Sequence, residues 1–161
     1  MSSLVDAVNA LIHREARLLD EQRYDEWVAL FTDDCRYWVP VSPAQQSPRE
    51  GPSHFHDDIQ VMKTRVHRLA NPRGFGAEPA PRTVHIISGI AVDEDGETVI
   101  ASSGQIMLEY RNRDGFEADQ RIFGGRVTHH LRHTDDGLRI ALKRVDLINA
   151  EGPFSAMAAL L

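Results

Sequence analysis

Leu4, Val8, Leu11, Ile12, Leu18 and Leu19 recur at helical spacings and form the apolar stripe of an amphipathic helix over residues 3–20. After a break at Glu21–Arg23, the cluster Tyr24, Trp27, Val28, Leu30 and Phe31 predicts a shorter helix with Asp25 in its capping region. Thr32–Asp34 reads as a turn. Cys35–Val41, rich in aromatic and β-branched residues, reads as a strand ending before Pro43. Residues 42–53 hold three prolines and a glycine and read as a loop. Ile59, Met62, Val66 and Leu69 restore the helical period, and Asn71–Pro72 closes that helix. Asp57 and Asp58 are expected in its first turn, where carboxylates complement the helix dipole. Residues 71–82, with Gly74, Gly76 and three prolines, read as a second loop.

From Thr83 onward the period changes to two. Thr83–Val92, Thr98–Arg113, Arg121–His133 and Leu138–Ile148 alternate apolar and polar positions. Asp95–Gly96, Asp114–Gly115 and Asp136–Gly137 lie between them and are hairpin signals. Helices followed by hairpin-linked strands predict an α+β fold, with helices on one face of a curved, mostly antiparallel sheet. No linker or repeat divides residues 1–161, which are expected to form one domain.

Composition narrows the function. Residues 1–11 lack the pattern of a signal peptide, and no run approaches the roughly 20 apolar residues that span a membrane. The single cysteine, Cys35, excludes an internal disulfide and fits a reducing, cytoplasmic setting. The net charge is −6, without a basic face, which argues against nucleic acid as a partner. Cys35 has only Arg36 as a basic neighbour, so packing is favoured over reactivity.

Two histidine groups invite a metal reading. In His54-Phe55-His56-Asp57-Asp58, a strand would set His54 and His56 side by side, whereas a helix would separate them by about 200°. The spacing from Ile59 onward favours a helix start and hence capping over ligation. In Thr128–His133, His129 and His133 would share one strand face, with His130 on the other. A solvated hairpin tip is favoured there over a metal or proton-transfer role.

The segment EARLLDEQRYDEWVALFTDDCRYWVPV, Glu15 to Val41, resembles the start of the small (beta) subunit of Rieske non-heme iron aromatic-ring-hydroxylating dioxygenases. HFHDD at 54–58, TRVHRL at 64–69, PRTVHIIS at 81–88, LEYRNR at 108–113 and GGR at 124–126 follow in the order that family shows. His56 stands where the family often has aspartate, and the Gly74–Gly76 stretch replaces a Trp-containing one. The resemblance implies the cystatin-like, nuclear-transport-factor-like (SnoaL-like) cone, with N-terminal helices packed on a strongly curved mixed sheet. It also implies a non-catalytic subunit that supports a large (alpha) subunit and other beta subunits, commonly as three alpha and three beta chains.

The Rieske iron–sulfur cluster and the mononuclear non-heme iron are then expected in the large subunit. A Rieske cluster requires two cysteines, and this chain has one. The interface anchors expected here are Trp38, Arg82, Tyr110 and Arg111, since aromatic and arginine side chains dominate binding hot spots. Core packing competes for Trp38 and Tyr110, and a solvated surface for Arg82 and Arg111. The cone fold also hosts isomerases, dehydratases and hydrolases that use a cavity base. Asp34, Tyr37 and His85 are the residues for that alternative, against a His85 that is simply hydrogen-bonded in the core.

Overall fold

A computed structural model describes residues 3–71, 73, 80–111, 119–153, 157 and 159–161. Helix α1 spans Leu4–Asp20 and opens with a reciprocal capping box. The Ser3 hydroxyl accepts from the Asp6 amide, and the Asp6 carboxylate accepts from the Ser3 amide. Helix α2, Tyr24–Val28, is shorter than its apolar cluster suggested, with Asp25 in its first turn. Strand β1 runs Phe31–Pro40, a 3-10 turn occupies Pro48–Glu50, and strand β2 is Ser53–Asp57. Helix α3 follows at Ile59–Ala70, then strands β3 (Arg82–Asp95), β4 (Thr98–Arg111), β5 (Asp119–Thr134) and β6 (Gly137–Leu147).

The architecture is α+β, as the periodicity predicts. One six-stranded sheet has the order β2-β1-β6-β5-β4-β3. The β1–β6 pair is parallel and the other four are antiparallel. The hairpins at Gly96 and at Asp135–Asp136 are present. Asp114–Gly115 and the Gly74–Gly76 stretch lie outside the described residues.

Two local readings are corrected. Thr32–Asp34 is not a turn after a helix but part of β1. Phe31 pairs with Ile140 and Arg36 with Leu142, so the intervening β1 residues bow out opposite Ala141 alone. The polar residues there mimic a turn because the strand bulges at that point. His54–Asp57 is a strand, not a helix start. Trp38 pairs with His56 and Tyr37 with Asp57 across β1–β2. Only Asp58 caps α3, accepting from the Gln60 and Val61 amides at 3.0 and 2.9 Å.

All three helices cover one face of the sheet. Val8, Ile12 and Leu18 of α1, Trp27 of α2, and Met62 and Val66 of α3 pack on Tyr37, Met107, Phe123, Val127, Leu131 and Ile140. Trp27 meets Phe31 and Tyr37 edge-on at 5.0 and 5.9 Å, and Tyr37 stacks on Phe55 at 5.4 Å. Cys35 is fully buried with its Sγ 3.7 Å from the Met62 Sδ, and burial pushes its thiol up to about 11. Bulges at Ser88–Ala91 and opposite His130–Leu131 increase the local twist, and Gly89 supplies the left-handed φ of +61° that the first one uses.

Gly125, within the GGR run, lets β5 and β6 approach closely. A Cβ there would collide with the Asp146 carbonyl oxygen and come within 3.0 Å of the Leu147 Cα. Both obstacles are backbone, so neither can rotate away. Gly125→Ala is therefore expected to lower stability by about 1–3 kcal/mol, read as a lower urea midpoint with an unchanged slope.

Candidate functional site

The interior contains charge. Glu15 lies on the apolar stripe of α1, between Ile12 and Leu18, and is 2% exposed. Its Oε1 accepts from the Lys143 Nζ at 2.7 Å and the Trp27 Nε1 at 3.2 Å, and its Oε2 lies 2.8 Å from the His129 Nε2. Lys143 and His129 are each 1% exposed. Burial works to raise the Glu15 pKa, but the Lys143 charge, His129 and their hydrogen bonds outweigh it and hold the carboxyl well below its ordinary range. The His129 Nδ1 is buried without a hydrogen-bond partner. His129 therefore belongs to the core and not to a solvated hairpin tip. The tip assignment holds for His133, which is exposed. Glu15 opens the segment that carries the family resemblance and Lys143 stands in no quoted motif, yet the sequence reading missed both as buried charges. The available signal was a carboxylate placed where an apolar stripe calls for an aliphatic residue.

A second polar group gathers at the mouth of the cone. The His85 Nδ1 lies 2.6 Å from Asp20 Oδ1, and its Nε2 lies 3.2 Å from the Leu160 carbonyl. The Tyr37 hydroxyl accepts from the Leu161 amide at 3.0 Å, and burial pushes its ionisation up. Burial opposes ionisation of Asp20, yet hydrogen bonds from His85 and Thr83 keep its pKa lowered. Glu109, 1% exposed, is held by Arg121 and accepts the Ala159 amide at 3.3 Å. His85 and Tyr37 thus face the interior together, both engaged by backbone. Asp34 does not join them. It is exposed on the outer surface and paired with Arg132 at 2.8 Å, which lowers its pKa. The three residues do not form a common acid–base site.

Among the described residues, no helix lies on the other face of the sheet. Val84, Ile86, Ile106 and Ile122 are 45–67% exposed there, and Ile148 is 84% exposed. The register aligns Val84 with Leu108 and Ile122, and Ile86 with Ile106 and Gly124. Shallow hollows of about 320 and 400 Å³ lie over these rows. Arg82 sits 5.0 Å over the Tyr110 ring at one end, and exposed Arg126 stands at the other. Trp38 is on this outer side but 4% exposed. It lies beneath Arg144 at 4.4 Å and donates to the Ser53 hydroxyl at 2.9 Å. Strand alternation places Arg111 on the inner side with Glu109, away from Arg82 and Tyr110.

The same positions bear on whether this chain could itself hold the iron groups that the resemblance assigns to a large subunit. Cys35 is buried against Met62, and one cysteine is too few for a Rieske cluster. His54 and His56 do share a strand face, but the His54 Nε2 lies 2.8 Å from the Ala150 carbonyl. Asp57 points the other way and is held by Arg65 at 2.6 and 2.9 Å. The residues do not fit a two-histidine, one-carboxylate site. Among the described residues no group of three such side chains could hold a metal ion, and no helix is long and apolar enough to cross a membrane.

A family described as ring hydroxylating beta subunit matches residues 14–151. The benzene 1,2-dioxygenase subunit beta of Pseudomonas putida is 31% identical over 140 residues, which cover 80% of this chain and 72% of that protein. The anthranilate 1,2-dioxygenase small subunit of Acinetobacter baylyi is 31% identical over 150 residues, covering 89% and 88%. Among solved structures, the beta subunit of the benzoate 1,2-dioxygenase from Burkholderia mallei superposes with a TM-score of 0.75. That likeness covers 99% of both chains at 23% identity and speaks for the fold.

Removing the central carboxylate strands Lys143 in the core. Glu15→Gln is expected to cost about 3–5 kcal/mol, measured by urea unfolding. The pH dependence has a definite sign. In the folded chain Glu15 stays ionised far below its ordinary value of 4.5. Its contribution is full above that value and is lost as pH falls towards the folded-state value. Acid unfolding of the native chain is expected to begin below about pH 4.5, and this Glu15-dependent share of the slope should vanish in the glutamine variant.

Proposed function

The chain belongs to the ring-hydroxylating beta-subunit family, and from that premise we propose that it supports the large subunit of an aromatic-ring dioxygenase without catalytic residues of its own. It would act in the cytoplasm as one domain over residues 1–161, in an assembly of three large and three small chains. The large chain would bear the Rieske cluster and the mononuclear iron. The contribution of this chain is positional: a rigid base fixes the spacing of the large subunits.

One observation carries this reading. A monomer that exposes rows of aliphatic side chains on an uncovered sheet face bears an unfavourable hydration cost unless something covers them. The rows Val84–Leu108–Ile122 and Ile86–Ile106–Gly124 bring exposed aliphatic side chains side by side in such a patch. Arginines at both ends give it the apolar centre and polar rim of a protein interface. Of the interface residues expected from the sequence, Arg82 and Tyr110 lie at its edge, and Trp38 contributes through the Arg144 that covers it. Arg111 faces the inner side and is the weakest of the four.

The test is co-expression with the large subunit of an aromatic-ring dioxygenase from the same source. The native pair is expected to elute as a hetero-oligomer, whereas this chain alone should be colourless and free of iron. Ile106→Asp combined with Ile122→Asp should leave the circular dichroism unchanged and weaken assembly at least tenfold, since both side chains already face solvent. Full assembly by that folded variant would remove the outer face from the proposal.

A further inference from the structure

We infer that the mouth of the cone is a binding cradle for an apolar peptide segment, and that residues 159–161 occupy it in the manner of a ligand while completing the core. This goes beyond the assembly role and does not depend on it.

The contacts have the character of peptide recognition. Three polar bonds among the described residues run from the cradle to the backbone of this segment: the Ala159 amide to Glu109, the Leu160 carbonyl to His85, and the Leu161 amide to Tyr37. The three partners come from β4, β3 and β1, so the segment is gripped from across the sheet without joining it as a strand. Its side chains enter apolar surroundings, with Leu160 4% and Leu161 0% exposed. A site that reads successive N–H and C=O groups while burying aliphatic side chains selects peptides by backbone pattern and apolarity.

The cradle is also preorganised without its occupant. His85 is fixed at its second ring nitrogen by Asp20. Arg121 binds the Glu109 Oε1 through two nitrogens and leaves the Oε2 for the Ala159 amide. Tyr37 is held by Trp27 and Phe55. These anchors do not require residues 159–161, so the pocket persists when the segment leaves. Vacating it would deprive three deeply buried polar groups of a partner, and each such loss is unfavourable. The cradle therefore favours re-occupation by a peptide of the same chemistry.

The experiment uses the full chain carrying Leu160→Asp and Leu161→Asp, which places charge where burial is complete and should expel the segment. The probe is an acetylated peptide with the sequence of residues 157–161, Met-Ala-Ala-Leu-Leu, titrated by calorimetry. The native chain should take up none, and the variant should bind one equivalent saturably. Adding Tyr37→Phe should weaken that binding by roughly 3–10-fold. A folded double variant that binds no peptide, or binding indifferent to Tyr37→Phe, would overturn the inference. If the double variant does not fold, hydrogen exchange on the native chain decides. A ligand-like segment exposes the Ala159 and Leu161 amides by local opening, at least about tenfold slower than a free peptide yet faster than the β4–β5 core. Exchange of these amides only on global unfolding, or at the free-peptide rate, counts against it.

Discussion

A single buried carboxylate governs how the helices sit on the sheet. Glu15 cannot leave water without compensation, and its three donors come from three different elements: Trp27 from α2, His129 from β5 and Lys143 from β6. Each bond has a length and a direction, so together they fix the roll and height of α1 more narrowly than aliphatic packing would. Apolar contacts around Val8, Ile12 and Leu18 supply the driving force. The ionic cluster supplies uniqueness, because a helix rotated by one position would bury a charge without a partner.

The two faces of the sheet are consequently unequal. The inner face is filled by helices, the Glu15 cluster and residues 159–161. The outer face is left with aliphatic rows and arginines at its margins. While residues 159–161 fill the mouth, the outer face is the large apolar surface left open to another protein. This arrangement agrees with membership of a family of oxygenase supporting subunits. It also explains why Tyr37 and His85, which both point to the inner side, are engaged in holding backbone.

Much of the fold was legible in the chain. The two-residue period from Thr83 onward marks the long strands, and Asp95–Gly96 and Asp136–Gly137 mark their hairpins because glycine supplies positive φ there. Reading failed where tertiary pairing overruled local pattern. Thr32–Asp34 has turn composition but is carried as a bulge between two paired stretches of β1. His54–Asp57 resembles a helix start until Tyr37 and Trp38 recruit it as a strand. His129 was legible as a strand residue, but not as a partner of Glu15, because the two are 114 positions apart. The outer patch was half visible: Arg82 and Tyr110 stand out by residue type, whereas Ile106 and Ile122 matter only through cross-strand register.

The parallel pairing of β1 with β6 has a consequence for how the chain is made. The first strand lies between the short β2 and the last long strand, so it lacks its main neighbour until residues 137–147 have left the ribosome. A nascent chain of a hundred residues holds α1, β1 and the apolar side chains of both, with Lys143 not yet translated to meet Glu15. Such long-range closure slows folding and leaves an incomplete, sticky intermediate during elongation. Translation speed up to the end of β6 thus sets how long the unfinished molecule is vulnerable to aggregation.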